Sequence, residues 1–105
     1  MPNMVKAIGA SELEDGGIKV VRVEGRSLAL SRVGEEFFAM DNTCLHRGGP
    51  LGEGGMDGFD IICPWHGWSY DVRTGAFKVI PALKVRTYVT RREGDSVMVD
   101  LDGAE

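Results

Sequence analysis

The chain has 105 residues and a formal net charge of −4, which is enough for one domain with a modest core. The mild acidity argues against nucleic acid as a partner, because a polyanionic backbone requires a basic patch. No apolar run is long enough to span a bilayer and the start of the chain lacks a signal-peptide pattern. We therefore expect no membrane contact and a cytoplasmic location.

The first forty residues predict a meander of antiparallel strands. Apolar and β-branched residues favour strands over 4–9, 18–23, about 28–33 and 36–41. The dipeptides Glu24-Gly25 and Gly34-Glu35 are typical of hairpin turns. Ser11 is placed to cap a brief turn before the second strand.

Both cysteines and both histidines of the chain lie in two short motifs. Cys44 and His46 form C-x-H, and Cys63 and His66 form C-x-x-H after sixteen intervening residues. Two thiolates and two imidazoles would make a four-ligand metal site. They leave no cysteine for a disulfide, which fits a reducing compartment, and no histidine for catalysis.

A glycine-rich segment joins the two motifs. Six of the eleven residues from Gly48 to Gly58 are glycine, which excludes a stable helix. Glycine allows positive φ and close approach of the backbone to a ligand. The segment is either a flexible loop or a loop whose backbone approaches the metal site closely. Its place between the two ligand pairs favours the second interpretation. Further strands are expected over 59–63, 69–72 and 76–79.

The last part of the chain predicts a hairpin with one buried face. Apolar and polar residues alternate over 85–89 and again over 97–101, and turn residues occupy 93–95. We expect residues 102–105 to form a frayed tail.

The two motifs together resemble a Rieske [2Fe–2S] centre, in which two histidines replace two cysteines on one iron. The resemblance covers residues from about 42 to 81. It implies that Cys44 and Cys63 bind one iron of a single [2Fe–2S] cluster and that His46 and His66 bind the other. With the strand pattern, it predicts an all-β fold: one domain over 1–105, an antiparallel β-sandwich of short strands with a cluster-binding subdomain inserted at about 42–82. It also implies that a proline loop around Pro81 covers the cluster.

The sequence departs from the respiratory branch of that family. Gly49 and Trp65 stand where respiratory members have two additional cysteines, and Trp68 stands where they have a serine that bonds a sulfide. Tyr70 keeps a tyrosine whose hydroxyl meets a cysteine sulfur in those proteins. The chain is thus similar to soluble Rieske ferredoxins and to the Rieske domains of aromatic-ring oxygenases. Fewer donors to the cluster imply a potential low in the range of about −150 to +300 mV.

The resemblance implies a one-electron carrier between a flavoprotein reductase and a terminal oxygenase, with no turnover of its own. A Rieske oxygenase would need a second iron held by two histidines and a carboxylate, and both histidines are already assigned. One alternative is the small subunit of an NAD(P)H-dependent nitrite reductase. Another is a zinc-stabilised interaction module, although zinc sites more often pair cysteine with cysteine and histidine with histidine.

Overall fold

The computed structural model describes residues 4–45, 48–65 and 67–104. Within these ranges the chain forms nine strands and two single-turn 3-10 helices, and it contains no α-helix. The strands are β1 Met4–Gly9, β2 Ile18–Val23, β3 Arg26–Val33, β4 Glu36–Asp41, β5 Gly55–Asp57, β6 Asp60–Ile62, β7 Ser69–Asp71, β8 Thr87–Glu93 and β9 Ser96–Ala104. The expected all-β antiparallel fold is confirmed, and no described helix is long and apolar enough to cross a membrane.

Six strands form the larger sheet, in the order β1-β9-β8-β4-β3-β2. Two-residue turns connect its hairpins: Val23 pairs with Arg26 across Glu24-Gly25, and Val33 pairs with Glu36 across Gly34-Glu35. Both residues of the first turn have positive φ, 48° and 83°, which matches the right-handed twist of the flanking strands. The predicted turns are therefore confirmed.

Strand β3 is buried on both faces, and this places the second sheet. Leu28 and Leu30 point into the main core, whereas Ala29 between them belongs to a second core. Met40 on β4 joins that second core, together with both cysteines. The smaller sheet, β5-β6-β7, comes between β4 and β8 in the chain and packs its side chains into this second core.

The glycine-rich segment is more ordered than a plain loop. It contains a 3-10 turn, Leu51–Glu53, and then β5, which pairs with β6. The backbone N–H of Gly52 donates to Asn42 Oδ1 at 2.5 Å, and a Cβ on Gly52 would meet Val20 Cγ2 at 2.6 Å. The turn thus packs directly on β2, and the absence of a side chain at position 52 permits the contact.

Four local predictions are wrong. Ser11 does not cap a turn over 12–15: the 3-10 turn is Ala10–Glu12, and Ser11 bonds Asp95 instead. No strand forms over 76–79, where only isolated bridges join Tyr70 to Phe77 and Ala76 to Lys84.

The other two errors concern the last hairpin. Strand β9 continues to Ala104, so residues 102–104 belong to a strand rather than a tail. The inward alternation expected over 85–89 fails at Val89, which is 48% exposed. The register between β8 and β9 shifts between Tyr88 and Val89, and this irregularity turns Val89 outward.

Candidate metal centre

The two cysteines begin loops with the same backbone hydrogen bonds. In the first cysteine loop, residues 44–49, the N–H of Cys44 donates to Gly49 O at 2.9 Å and the N–H of Gly48 donates to Cys44 O at 2.9 Å. In the second cysteine loop, residues 63–68, the N–H of Cys63 donates to Trp68 O at 2.7 Å and the N–H of Gly67 donates to Cys63 O at 3.1 Å. Each cysteine therefore opens a turn of the same length.

Each turn closes on a glycine four residues after its cysteine. Gly48 has φ +71° and Gly67 has φ +73°, a backbone conformation that residues other than glycine rarely adopt. The repeated spacing C-x-x-x-G is visible in the sequence and could have predicted the common loop shape. The prediction of a loop near the metal site rests on the six glycines over 48–58 and does not include this repeat.

Both cysteine thiols are buried, and Gly49 of the first loop lies beside the thiol of Cys63 in the second. Cys44 and Cys63 are each 2% exposed and have no disulfide. A Cβ on Gly49 would lie 2.7 Å from Cys63 Sγ and 3.1 Å from Trp65 Cδ2. Gly49 and Trp65, the positions matched to the additional cysteines of the respiratory branch, are thus neighbours, and the indole occupies the space beside Gly49.

A buried tyrosine contacts the first thiol. Tyr70, fully buried on β7, places its hydroxyl 3.2 Å from Cys44 Sγ and accepts the Leu45 N–H at 3.1 Å. Burial, together with the contact to Cys44, raises the pKa of Tyr70 well above its ordinary value. The phenol therefore keeps its proton and can donate it to a thiolate. This predicted tyrosine contact is present.

Three rings form a stack beside the thiol, which we call the aromatic stack: Trp68, Phe77 and Tyr70. The Trp68 and Phe77 rings are parallel, with centroids 4.2 Å apart and an interplanar angle of 10°. Phe77 contacts Tyr70 at a centroid distance of 5.5 Å and an angle of 40°. Phe77 is 4% exposed, and no sequence motif marked it.

The proline loop, residues 78–83, is bonded to β7, the strand that directly follows the second cysteine loop. The Lys78 N–H donates to Ser69 O at 3.0 Å, just after Trp68. The Phe77 N–H donates to Leu83 O at 2.8 Å, and the Leu83 N–H donates to Ile80 O at 2.9 Å. The loop is therefore fixed to β7 at its start, and its end is bonded to the backbone of Phe77, the residue that precedes it.

Exposed apolar side chains concentrate on these three loops. Of the six large apolar residues that the described part of the chain exposes, all but Val89 lie there. We call these five residues the apolar rim: Leu45, Trp65, Val79, Ile80 and Leu83. Val79 is the most open, at 77% exposure. An apolar group of this kind marks an interaction surface.

The two predicted histidine ligands, His46 and His66, lie outside the described residues, as does Arg47. Within the described ranges no three histidine, cysteine or acidic side chains cluster as a metal site. The structure brings Cys44 and Cys63 into one buried core and adds Tyr70 to them.

Comparison with known proteins gives a consistent family. A model of the Rieske [2Fe-2S] domain matches residues 3–89. The chain is 37% identical over 98 residues to the ferredoxin component of the naphthalene 1,2-dioxygenase system of Pseudomonas aeruginosa, covering 92% of this chain and 94% of that protein.

Two solved structures have similar folds. The ferredoxin of carbazole 1,9a-dioxygenase from Nocardioides aromaticivorans has a TM-score of 0.86 at 30% identity, over 92% of this chain and 96% of that chain. A chain from a complex of reduced oxygenase and oxidized ferredoxin in carbazole 1,9a-dioxygenase has a TM-score of 0.84 at 33% identity, over 95% of this chain and 94% of that one. The alignments therefore extend over almost the whole length of each partner.

Proposed function

Because the chain belongs to the Rieske [2Fe–2S] domain family, we propose that it is a one-electron carrier that takes electrons from a flavoprotein reductase and passes them to a terminal oxygenase. The single observation that carries the proposal is the pair of matched cysteine loops with buried thiols in a chain that aligns with 94% of a ferredoxin component. The relatives reported above are ferredoxin components, and one of them is recorded in a complex with an oxygenase. These relatives favour the carrier over the nitrite reductase subunit.

The described half of the site fits a [2Fe–2S] cluster, which accepts and releases one electron. The two thiols are sheltered from water, and Gly49 leaves open the space beside Cys63 Sγ that a side chain would fill. Tyr70 aims a protonated hydroxyl at Cys44 Sγ, which suits a sulfur that gains negative charge on reduction.

The full ligand set is part of this proposal. By the Rieske pattern, Cys44 and Cys63 bind one iron and His46 and His66 bind the other. Each histidine follows a cysteine within three residues, as that pattern requires. Residues of about 42–82 act as the cluster-binding subdomain of the single domain over 1–105. The need to keep both thiols reduced supports a cytoplasmic location.

Docking to both partners is assigned to the apolar rim. Two residues of the rim, Leu45 and Trp65, lie on the cysteine loops themselves, so a partner that covers the rim brings its own redox centre near the cluster ligands. The overall charge of −4 adds weak long-range steering at most. One shared face also suits a carrier, because it forces the reductase and the oxygenase to bind in turn.

Metal analysis and reconstitution test the proposal. The purified protein should contain two irons and two acid-labile sulfides per chain and give a Rieske-type paramagnetic signal when reduced. With NADH, a reductase and an oxygenase from a dioxygenase system, omission of this protein should stop product formation. One zinc without sulfide would support the interaction module instead. Product formation without the oxygenase would contradict the carrier role.

A further inference from the structure

We propose that Phe77 is a positioning residue: held between Trp68 and Tyr70, it fixes the Tyr70 hydroxyl against Cys44 Sγ and so sets the reduction potential. The inference rests on the proposed cluster. It extends that function to two residues, Phe77 and Trp68, for which no redox role was expected from the sequence.

The first step is the direction of the hydrogen bond. The Tyr70 oxygen accepts the Leu45 N–H at 3.1 Å, so its own proton remains available for Cys44 Sγ at 3.2 Å. A metal-bound thiolate carries no proton, and the phenol must then be the donor. The bond accepted from Leu45 also polarises the O–H group, because linked hydrogen bonds strengthen one another.

The second step concerns the contacts that fix the orientation of the Tyr70 ring and thus the position of its hydroxyl. The hydroxyl lies at the far end of the Tyr70 ring, so a small tilt of the ring moves the oxygen away from the sulfur. Phe77 contacts that ring at 5.5 Å between centroids, and the two residues also form a backbone bridge. Phe77 itself has little freedom, because the centroid of the parallel Trp68 ring lies 4.2 Å from its own and its N–H is bonded to Leu83 O.

The consequence is electronic. A hydrogen bond to a cysteine sulfur stabilises the reduced, more negative form of the site, and its loss lowers the potential. Phe77→Leu keeps an apolar group but removes the flat face, so the Tyr70 ring can tilt. We expect the potential to fall by part of the decrease that Tyr70→Phe produces.

A double-mutant cycle separates this positioning effect from general damage. The potential is measured for the wild type, Phe77→Leu, Tyr70→Phe and the double variant. If Phe77 acts through the hydroxyl, Phe77→Leu lowers the potential when Tyr70 is present and has no effect in the Tyr70→Phe background. Phe37→Leu is the matched control, since Phe37 is buried in the other core and should leave the potential unchanged.

Equal shifts in both backgrounds would overturn the proposal, as would no shift in either. If Phe77→Leu does not retain its cluster, Phe77→Met replaces it in the same cycle, because it also removes the flat face that contacts the Tyr70 ring. The wild type provides the separate check. Its lack of iron and sulfide would refute the proposed function, whereas a normal cluster with an additive cycle would refute only the role of Phe77.

Discussion

Gly49 has no room for a side chain between the two cysteine loops. A methyl group there would lie 2.7 Å from Cys63 Sγ and 3.1 Å from the Trp65 ring, and neither atom belongs to the free end of a flexible chain. We expect Gly49→Ala to push the cysteine loops apart and greatly reduce the iron and sulfide bound per chain, as measured by metal analysis. Gly55→Ala is the control, because a Cβ at Gly55 meets nothing within 4 Å. Equal occupancy in the two variants would contradict this account.

The Tyr70 hydroxyl makes two hydrogen bonds, and each predicts a separate effect of Tyr70→Phe. Loss of the donor to Cys44 Sγ should lower the potential by on the order of 50 mV, the equivalent of about 1 kcal/mol for one electron. Loss of the acceptor for the Leu45 N–H should also lower thermal stability. Voltammetry and thermal unfolding measure the two effects. An unchanged potential with reduced stability would leave Tyr70 a purely structural role.

At the scale of one element, the Asp71 carboxylate adds side-chain bonds to the backbone bonds of the turn after β7. Asp71 accepts from the Arg73 backbone N–H at 2.8 Å and from the guanidinium at 2.8 and 3.0 Å, while the guanidinium lies 4.2 Å above the Phe59 ring. The hydrogen bond from Arg73 is the main cause that lowers the pKa of Asp71 below its ordinary value.

A folded-state pKa below the unfolded value means that the ionised form stabilises the fold. That contribution is complete above the ordinary aspartate pKa of about 4 and disappears as the pH falls through the lowered value. Asp71→Asn should therefore lower the Tm by a few degrees at neutral pH, and the difference from wild type should shrink in acid. Thermal unfolding across pH checks this, with the exposed Asp57→Asn as a control. A difference that does not vary with pH would contradict the ionic explanation.

Elements defined by local chemistry could be predicted, and those defined by packing could not. Strands β1, β2 and β4 have the predicted bounds because apolar runs and glycine turns delimit them. Val89 carries the residue type of an inward position, but a register shift with β9 turns it outward. Residues 76–79 have strand-like composition, yet the proline loop leaves them only isolated bridges.

The same distinction holds at the site. Cys44 and Cys63 could be selected from the sequence because metal ligands restrict both residue type and spacing. Phe77 could not, because its place beside Tyr70 depends on how the turn after β7 folds back. An apolar residue in a β-rich chain has many possible neighbours, and composition does not identify which one it meets.

At the scale of the whole molecule, the apolar rim should control partner docking. We expect the double variant Val79→Ser, Ile80→Ser to slow electron transfer to the oxygenase about tenfold or more, because each lost apolar contact weakens the complex. The cluster content and the potential should not change, since neither side chain is buried. Stopped-flow oxidation of the reduced protein measures the rate. Val89 is also an exposed apolar residue, but it lies on β8 outside the rim. The control variant Val89→Ser should therefore transfer electrons like the wild type.

The division into two cores has a consequence for how the protein matures. Neither cysteine belongs to the core inside the six-stranded sheet, whereas both belong to the second core. We therefore expect the larger sheet to fold before any iron is bound, and circular dichroism of the iron-free protein should show its strands. Binding of iron and sulfide would then order the second core of a protein whose main core is already folded. The newly made chain would keep its main core buried, and so protected from aggregation, until the cofactor is inserted.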